Sequence, residues 1–174
     1  MSLRTRRAVP ADADAIAAVV FAALHHAWAD LEPRRVALME LEDVAGEWRN
    51  RLKPVDLLMG EDLVVVAELG GRVVGVASWL LARSRRDGPA GWGELTHLAV
   101  HPAAQNSGVG SVLLTAAEDA LAAERGDRPT VTGRLQMHED AWWAAGFLER
   151  RGWTRDPEDP PADVLPNRSW TRTW

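Results

Sequence analysis

The chain contains no cysteine, so it cannot form disulfides, thiolate zinc sites or a covalent cysteine intermediate. It also contains no tyrosine, which removes the phenol as a catalytic proton donor. No apolar run reaches the length of a membrane span, and Met1 to Pro10 lacks the apolar core of a secretory signal. We therefore expect a cytoplasmic protein that does not associate with membranes.

Basic residues are fewer than acidic ones. The net charge is −5 and the isoelectric point is about 5.5, which argues against a general nucleic-acid-binding protein. The histidines do not offer three metal ligands at a useful spacing, so no metal site is predicted. With 174 residues and 47% hydrophobic content, the chain is long enough for a single domain over residues 1–174.

Hydrophobic periodicity and turn residues predict strands and helices along the whole chain. Gly70-Gly71 separates two β-rich runs and predicts a hairpin. A helix after Gly110 is expected to close at Gly126 and Pro129. The pattern predicts strands over 3–8, 63–69, 72–81, 92–100, 130–137, from 153 and over 169–174, and helices near 12–26, 34–52, after 110 and over 140–151. This order indicates a mixed α/β (α+β) domain.

The segment from Gly93 to Ser111 is the most informative part of the sequence. It predicts a strand, a short loop with glycines at 108 and 110, and a helix start. Backbone N–H groups at a helix start lack intrahelical partners, and the helix dipole adds positive charge, so together they favour a pyrophosphate. A dinucleotide fingerprint would need glycine at Leu113, and a nucleoside-triphosphate loop would need lysine at Ser111, so both are disfavoured. A helix that merely begins with glycines remains the alternative.

The strand end Leu98-Ala99-Val100-His101-Pro102 is followed by Gln105-Asn106-Ser107-Gly108-Val109-Gly110. This pair of segments resembles the Val-x-Pro and Gln/Arg-x-x-Gly-x-Gly/Ala hallmark of the GCN5-related N-acetyltransferases (GNAT). The segment from Phe147 to Trp153 is similar to the family's later Phe-Tyr-x-x-x-Gly-Phe motif. The resemblance covers nearly the whole chain. It implies a GNAT-like acyl-CoA N-acyltransferase fold, with a mixed, mostly antiparallel central sheet of six to seven strands flanked by about four helices.

The resemblance implies that acetyl-CoA, or another acyl-CoA, is the co-substrate. Glycine at 108 and 110 would let the backbone approach a phosphate closely. In the family the strands beside the first motif splay apart, and the free strand edge at Leu98 and Val100 would bind the pantetheine arm. The residues expected to bind the coenzyme are Leu98, Ala99, Val100, Gln105, Asn106, Ser107, Gly108, Val109, Gly110 and Ser111.

Acyl transfer to an amine needs a base, because an alkyl amine with a pKa near 10 is mostly protonated at neutral pH. Strand alternation predicts Glu94 on the same side as Leu98 and Val100, with His97 on the opposite side. In the resemblance, Glu94 takes the position at which several family members carry a catalytic carboxylate or histidine. Glu94 is therefore the candidate base, and a solvated glutamate at a strand start is the alternative.

Two positions depart from the family pattern. The tyrosine that often protonates the leaving thiolate is Leu148 here, and an asparagine before it is Ala141. Three alternatives remain. Water or another side chain, with His138 as one candidate, gives the proton, or the thiolate leaves unassisted. In the third, catalysis is slow or absent. The competing function is therefore a non-catalytic acyl-CoA-binding or regulatory module on the same fold.

The expected activity is an N-acetyltransferase that works by direct attack in a ternary complex, since no cysteine can carry the acyl group. A backbone N–H near Leu98 or Ala99 would stabilise the oxyanion. The acceptor is expected to be a small-molecule or peptide amine, and the acidic loop over 156–167 would favour a cationic one. A homodimer is common in the family and is left open.

Overall fold

The computed structural model describes residues 2–53, 63–81, 92–124, 132–138, 140–156 and 167–174. Its centre is a seven-stranded sheet in the order β1-β2-β3-β4-β5-β7-β6. The strands are Leu3–Arg7 (β1), Leu63–Leu69 (β2), Arg72–Leu81 (β3), Trp92–Val100 (β4), Thr132–His138 (β5), Thr154–Arg155 (β6) and Asn167–Thr173 (β7). The helices are Ala13–Trp28 (α1), Pro33–Ala37 (α2), Leu41–Arg51 (α3), Val109–Ala123 (α4) and Trp142–Glu149 (α5).

The sheet separates two hydrophobic layers. On one side, here called the α4 face, α4 packs against Ala77, Trp79 and Leu95. On the other side, here called the α1–α3 face, Ile16 and Trp48 cover Val64 and Val66 of β2 and Val76 of β3. Because the central strands are buried on both faces, β2 is a nearly continuous apolar run rather than an alternating one.

β4 and β5 are parallel neighbours that pair over a short distance. The register joins Trp92, Gly93 and Glu94 to Thr132, Gly133 and Arg134, and no further pair between these strands is present in the described residues. The remaining strand pairs are antiparallel, and β5 stays paired with β7 as far as His138. The two strands therefore part beyond Glu94 and leave a gap along the second half of β4, as the resemblance implies.

A β-bulge in β4 changes which face its side chains occupy. Ser78 pairs with His97, whereas the next residue of β3, Trp79, pairs with Leu95, so Thr96 is the extra residue. Ser78 and Leu80 lie on the same face because they are two residues apart, and Leu80 pairs with Glu94.

The alternation predicted from the sequence is therefore wrong. Glu94 lies on the α1–α3 face together with His97, whereas Leu98 and Val100 pack on the α4 face. The physical reason is the bulge, which lets two neighbouring residues, Thr96 and His97, project to the same side.

The helical region predicted near 34–52 is two helices, α2 and α3, which brings the number of helices in the described residues to five. The chain is extended at Glu40, with φ −103° and ψ 135°, and this interrupts the helical hydrogen bonds. The other predicted elements agree with the structure to within a few residues at their ends. The predicted stop at Gly126 and Pro129 and most of the acidic loop over 156–167 lie outside the described residues.

Candidate functional site

The loop between β4 and α4 presents a run of backbone N–H groups with no protein acceptor. Within the described residues, the amides of residues 106–111 donate no hydrogen bond, and the first capping bond of α4 runs from Val112 N to Gly108 O. Helix α4 is a full helix of 15 residues, so the positive end of its dipole lies at the same place. Unpartnered amides at the positive end of a helix favour an anion.

Local hydrogen bonds hold this loop in shape. Ser107 Oγ donates to Ala104 O at 2.7 Å, and Gln105 Nε2 donates to Val100 O at 3.0 Å. Asn106 and Gly108 adopt positive φ angles of 58° and 85°, and Gly108 is the N-cap of α4. A glycine suits the cap because it adopts the left-handed backbone conformation without the steric cost of a Cβ.

The backbone of β4 alternates between pairing with β3 and facing the gap. His101 N donates to Val74 O at 2.9 Å, so His101 and, two residues earlier, Ala99 direct their backbone groups toward β3. Leu98 and Val100 therefore direct theirs toward the gap. Among the residues predicted to bind the coenzyme, Leu98 and the N–H of Val100 offer the free edge, since Val100 O already accepts from Gln105 Nε2. Ala99 holds that edge in the sheet.

Glu94 lies at the narrow end of the gap. Its register neighbours are Leu80 on β3 and Arg134 on β5, and its side chain is half-buried. Arg134 lies on the same α1–α3 face, since the intervening Gly133 faces the tryptophans of the other layer. Its Nη2 donates to Ser169 Oγ at 2.8 Å. Sequence reasoning missed this cation beside Glu94, because the spacing of residues along the chain does not show which residue of β5 pairs with which residue of β4.

His97 is the second titratable group on this face of β4. Its ring packs edge-on against Trp48 of α3, with the ring centres 4.9 Å apart. Burial lowers the pKa of His97 from 6.5 to about 4, the positive charge of Arg51 adds to this effect, and Glu47 opposes it. His97 is therefore neutral at physiological pH.

The second motif forms the C-terminal end of α5. Gly152, with φ 79°, follows the helix, and Trp153 N and Gly152 N donate to Leu148 O and Glu149 O, which is a Schellman arrangement. Phe147 approaches the position of a side chain at Gly110, so α5 packs beside the start of α4. Leu148 is 2% exposed and belongs to the core of the α4 face, so the motif supplies packing and no proton donor.

His138, the candidate alternative donor, is buried at the end of β5. Its ring lies edge-on to Trp28 at 5.7 Å, and its Nδ1 accepts a hydrogen bond from Asp140 N at 3.2 Å. Because Nδ1 accepts this bond, Nε2 is the ring nitrogen that could carry a transferable proton. The other departure from the family, Ala141, is the N-cap of α5 and is buried.

Over the described part of the chain, no group of three or more histidine, aspartate or glutamate side chains is arranged to hold a metal ion. None of the helices in the same residues has the length and apolar content needed to cross a membrane.

Comparisons with known proteins agree with the fold and with the first motif. The model of the acetyltransferase (GNAT) domain matches residues 60–155, which include the hairpin, β4, the loop and α5. A search of the curated proteins gave no match.

Several solved structures share the fold at low sequence identity. The PaiA N-acetyltransferase from Thermoplasma acidophilum, in complex with coenzyme A, superposes with a TM-score of 0.76 at 15% identity, covering 100% of each chain. A GCN5-related N-acetyltransferase from Rhodopseudomonas palustris gives 0.70 at 23% identity, covering 100% of this chain and 97% of the other. An aminoglycoside 6′-acetyltransferase type Ii gives 0.68 at 18% identity, covering 99% and 97%. With the family model matching more than half of its residues, this chain belongs to the GNAT acetyltransferase family.

Proposed function

We propose that residues 1–174 form one N-acetyltransferase domain that transfers an acyl group from acetyl-CoA, or another acyl-CoA, to a primary amine. The transfer occurs by direct attack in a ternary complex. The observation that carries the proposal is the run of unpartnered amides at residues 106–111, which stands beside the gap between β4 and β5. A diphosphate on those amides and an extended arm in the gap account for both features at once.

In this proposal each part of the coenzyme has its own set of protein groups. The amides and side chains of residues 105–111 hold the diphosphate. The pantetheine arm adds to the edge of β4 through the carbonyl oxygen of Leu98 and the N–H of Val100, as an extra strand would, and Ala99 keeps that edge fixed to β3. The thioester then lies near the narrow end of the gap, where Glu94 is placed.

Glu94 accepts a proton from the acceptor amine, directly or through one water, and frees its lone pair. The amine nitrogen forms a bond to the thioester carbon while the Leu98 amide, which faces the gap, stabilises the negative oxygen. The carbon–sulfur bond then breaks, the electron pair leaves with sulfur, and the second proton of the amine nitrogen passes to the departing thiolate or to water. Because thiols have pKa values of about 8.5, the thiolate is a tolerable leaving group near neutral pH even without a tyrosine.

Replacing the base tests the assignment of Glu94. In Glu94→Gln we expect kcat for acetyl transfer to fall by roughly 10²- to 10⁴-fold, because general-base catalysis is removed. Calorimetric titration is expected to give the same Kd for coenzyme A as the wild type. Glu42→Gln is the matched control, since the Glu42 side chain is 79% exposed on α3 and pairs with Arg49. Equal kcat in the Glu94 and Glu42 variants across the pH range would remove Glu94 from the mechanism.

The burial of Leu148 favours a second candidate function, a module that binds acyl-CoA without turning it over. A residue sealed in the core cannot take the proton-donating role of the family's tyrosine. The two functions separate in one assay, in which release of the free thiol from acetyl-CoA is followed with a panel of primary amines. Thiol release that depends on the amine supports the transferase. Tight calorimetric binding of acetyl-CoA with no amine-dependent release supports the binding module.

A further inference from the structure

The bulge at Thr96 puts two potential proton acceptors, Glu94 and His97, on the same face of β4 at the end of the gap. The proposed mechanism uses only the first. His97 is therefore a titratable side chain of the site with no assigned task, and its hydrogen bonds define what it can do.

Those hydrogen bonds favour one position for the ring proton. Thr96 Oγ1 donates to the carbonyl oxygen of Ser78 at 3.2 Å, and a carbonyl oxygen can only accept. The single hydroxyl proton of Thr96 is then used. Its oxygen is left to accept from Ser78 Oγ at 2.9 Å and from His97 Nδ1 at 3.3 Å. This pattern favours the tautomer in which Nδ1 carries the ring proton and Nε2 keeps a lone pair.

The hydroxyl of Ser78 connects Thr96 to Arg51 of α3. Its side chain is fully buried, and Arg51 Nη1 approaches its Oγ to 3.5 Å, so Oγ accepts from the guanidinium and donates its own proton to Thr96. The arginine in turn donates from Nε to Glu47 at 3.0 Å. The hydrogen bonds from Arg51 on α3 through Ser78 on β3 to Thr96 on β4 therefore all run in the same direction, and each donor faces an acceptor.

Nε2 of His97 is open for a ligand. It has no hydrogen-bond partner among the described residues, and it is not sealed from solvent, unlike Nε2 of His25 and Nε1 of Trp48. The charged groups around it are Arg51 and Glu47 on α3 and, along the same face of the sheet, Glu94 and Arg134. A protonated ring would repel a cationic amine, and the buried position keeps the ring neutral.

We propose that His97 is an acceptor-binding residue whose unprotonated Nε2 accepts a hydrogen bond from the substrate amine and holds its nitrogen beside Glu94. This inference rests on the transferase function proposed above. It extends that function by naming the group that recognises the amine.

A pair of substitutions separates hydrogen bonding from packing. His97→Phe keeps an aromatic ring against Trp48 and removes the acceptor, whereas His97→Gln places an amide oxygen near the position of Nε2. With a primary amine that the wild type acetylates, we expect His97→Phe to raise the amine KM roughly tenfold or more, the size of a lost hydrogen bond to a charged group. The KM for acetyl-CoA is expected to stay unchanged in His97→Phe. In His97→Gln the KM for the amine is expected to return most of the way to the wild-type value. An unchanged amine KM in the phenylalanine variant, or a glutamine variant as poor as phenylalanine, overturns the proposal.

The ring proton is measured independently of turnover. Long-range ¹H–¹⁵N NMR of the full-length protein at neutral pH, with the signal assigned by its loss in His97→Gln, is expected to show a protonated Nδ1 and an unprotonated Nε2. In Thr96→Val, which keeps the branched shape and removes the hydroxyl, we expect a mixture of both tautomers. A protonated Nε2 in the wild type overturns the proposal whatever the kinetics show. If no amine supports thiol release, the transferase function fails instead, and the NMR result still decides whether His97 presents an acceptor.

Discussion

Gly108 shows how a single residue shapes the anion site. Its φ of 85° lies in the left-handed region, and a side chain built on it would meet open space rather than protein. Two effects of a substitution can therefore be told apart: strain in the backbone, and obstruction of whatever approaches the amides of residues 106–111.

Gly71 provides a matched control for that separation. It has φ 79° and equally open surroundings, but it lies in the hairpin between β2 and β3. In both Gly108→Val and Gly71→Val we expect a similar loss of unfolding free energy, about 1–2 kcal/mol for a left-handed L-residue. Only Gly108→Val is expected to weaken coenzyme A binding, by roughly tenfold or more in calorimetry. Equal affinity in the two variants would reject the phosphate assignment.

The sequence predicted those parts of the site that consist of backbone within the motif from β4 to the start of α4. Local spacing predicted a helix start with glycines at 108 and 110, and the structure has Gly108 as the N-cap of α4. The free strand edge at Leu98 was an expectation from the family resemblance. The face of Glu94 did not follow, because a bulge at Thr96 depends on how β3 and β4 pair, and no pattern in either strand alone reports it.

At the scale of elements, the narrow end of the β4–β5 pairing is held by tightly packed aromatic residues. Trp79 of β3 and Trp153 are stacked with ring centres 6.2 Å apart, and Trp174 lies edge-on to both. Trp79 Nε1 donates to Ala117 O of α4 at 2.9 Å. Gly133 of β5 lies under this cluster, so β5 approaches β4 closely where the two strands pair.

A methyl group at Gly133 would lie 2.9 Å from the rings of both Trp79 and Trp174, closer than real contacts allow. We expect Gly133→Ala to lower the unfolding free energy by about 1–3 kcal/mol, measured by urea denaturation, because these rings cannot yield easily. Gly110→Ala is the contrasting variant, since its methyl group would meet Val100 and Phe147 at 3.7 Å or more. It is expected to be neutral or slightly stabilising, as alanine favours a helix. A stable Gly133→Ala protein would contradict the proposed rigidity of this cluster.

The order of strands and helices was largely predictable, because each element has its own periodicity and its own stop signals. The exceptions depend on contacts between distant parts of the chain. The break at Glu40 between α2 and α3 is not marked by proline or glycine, and the short pairing of β4 with β5 joins two strands that are distant in the sequence.

For the molecule as a whole, His97 links stability to pH. The folded protein lowers the pKa of this ring from 6.5 to about 4, so between these values the unfolded chain binds a proton that the folded chain does not. Its contribution to stability is therefore complete above pH 6.5 and decreases as the pH falls toward 4. The full decrease from this group is about 3 kcal/mol.

We expect the wild type to lose more unfolding free energy than His97→Gln between pH 7 and pH 4, because glutamine does not titrate. The comparison cancels the other shifted groups, such as Asp12, whose pKa is lowered by hydrogen bonds from Arg6, and Glu118, whose pKa is raised by burial. Urea denaturation at several pH values measures the difference. Parallel curves for the two proteins would show that His97 does not titrate with a lowered pKa.

The parting of β4 and β5 has a consequence for how the molecule holds together. Strands β1 to β4 and strands β5 to β7 form two blocks of a single sheet, and their hydrogen-bonded border in the described residues runs only from Trp92 to Glu94 on one side. An extended ligand lying in this opening would supply contacts between the two blocks where the strands themselves do not pair. The bound ligand would then complete the sheet as well as react in it. Its release after each turnover would leave the two blocks joined only along the short border.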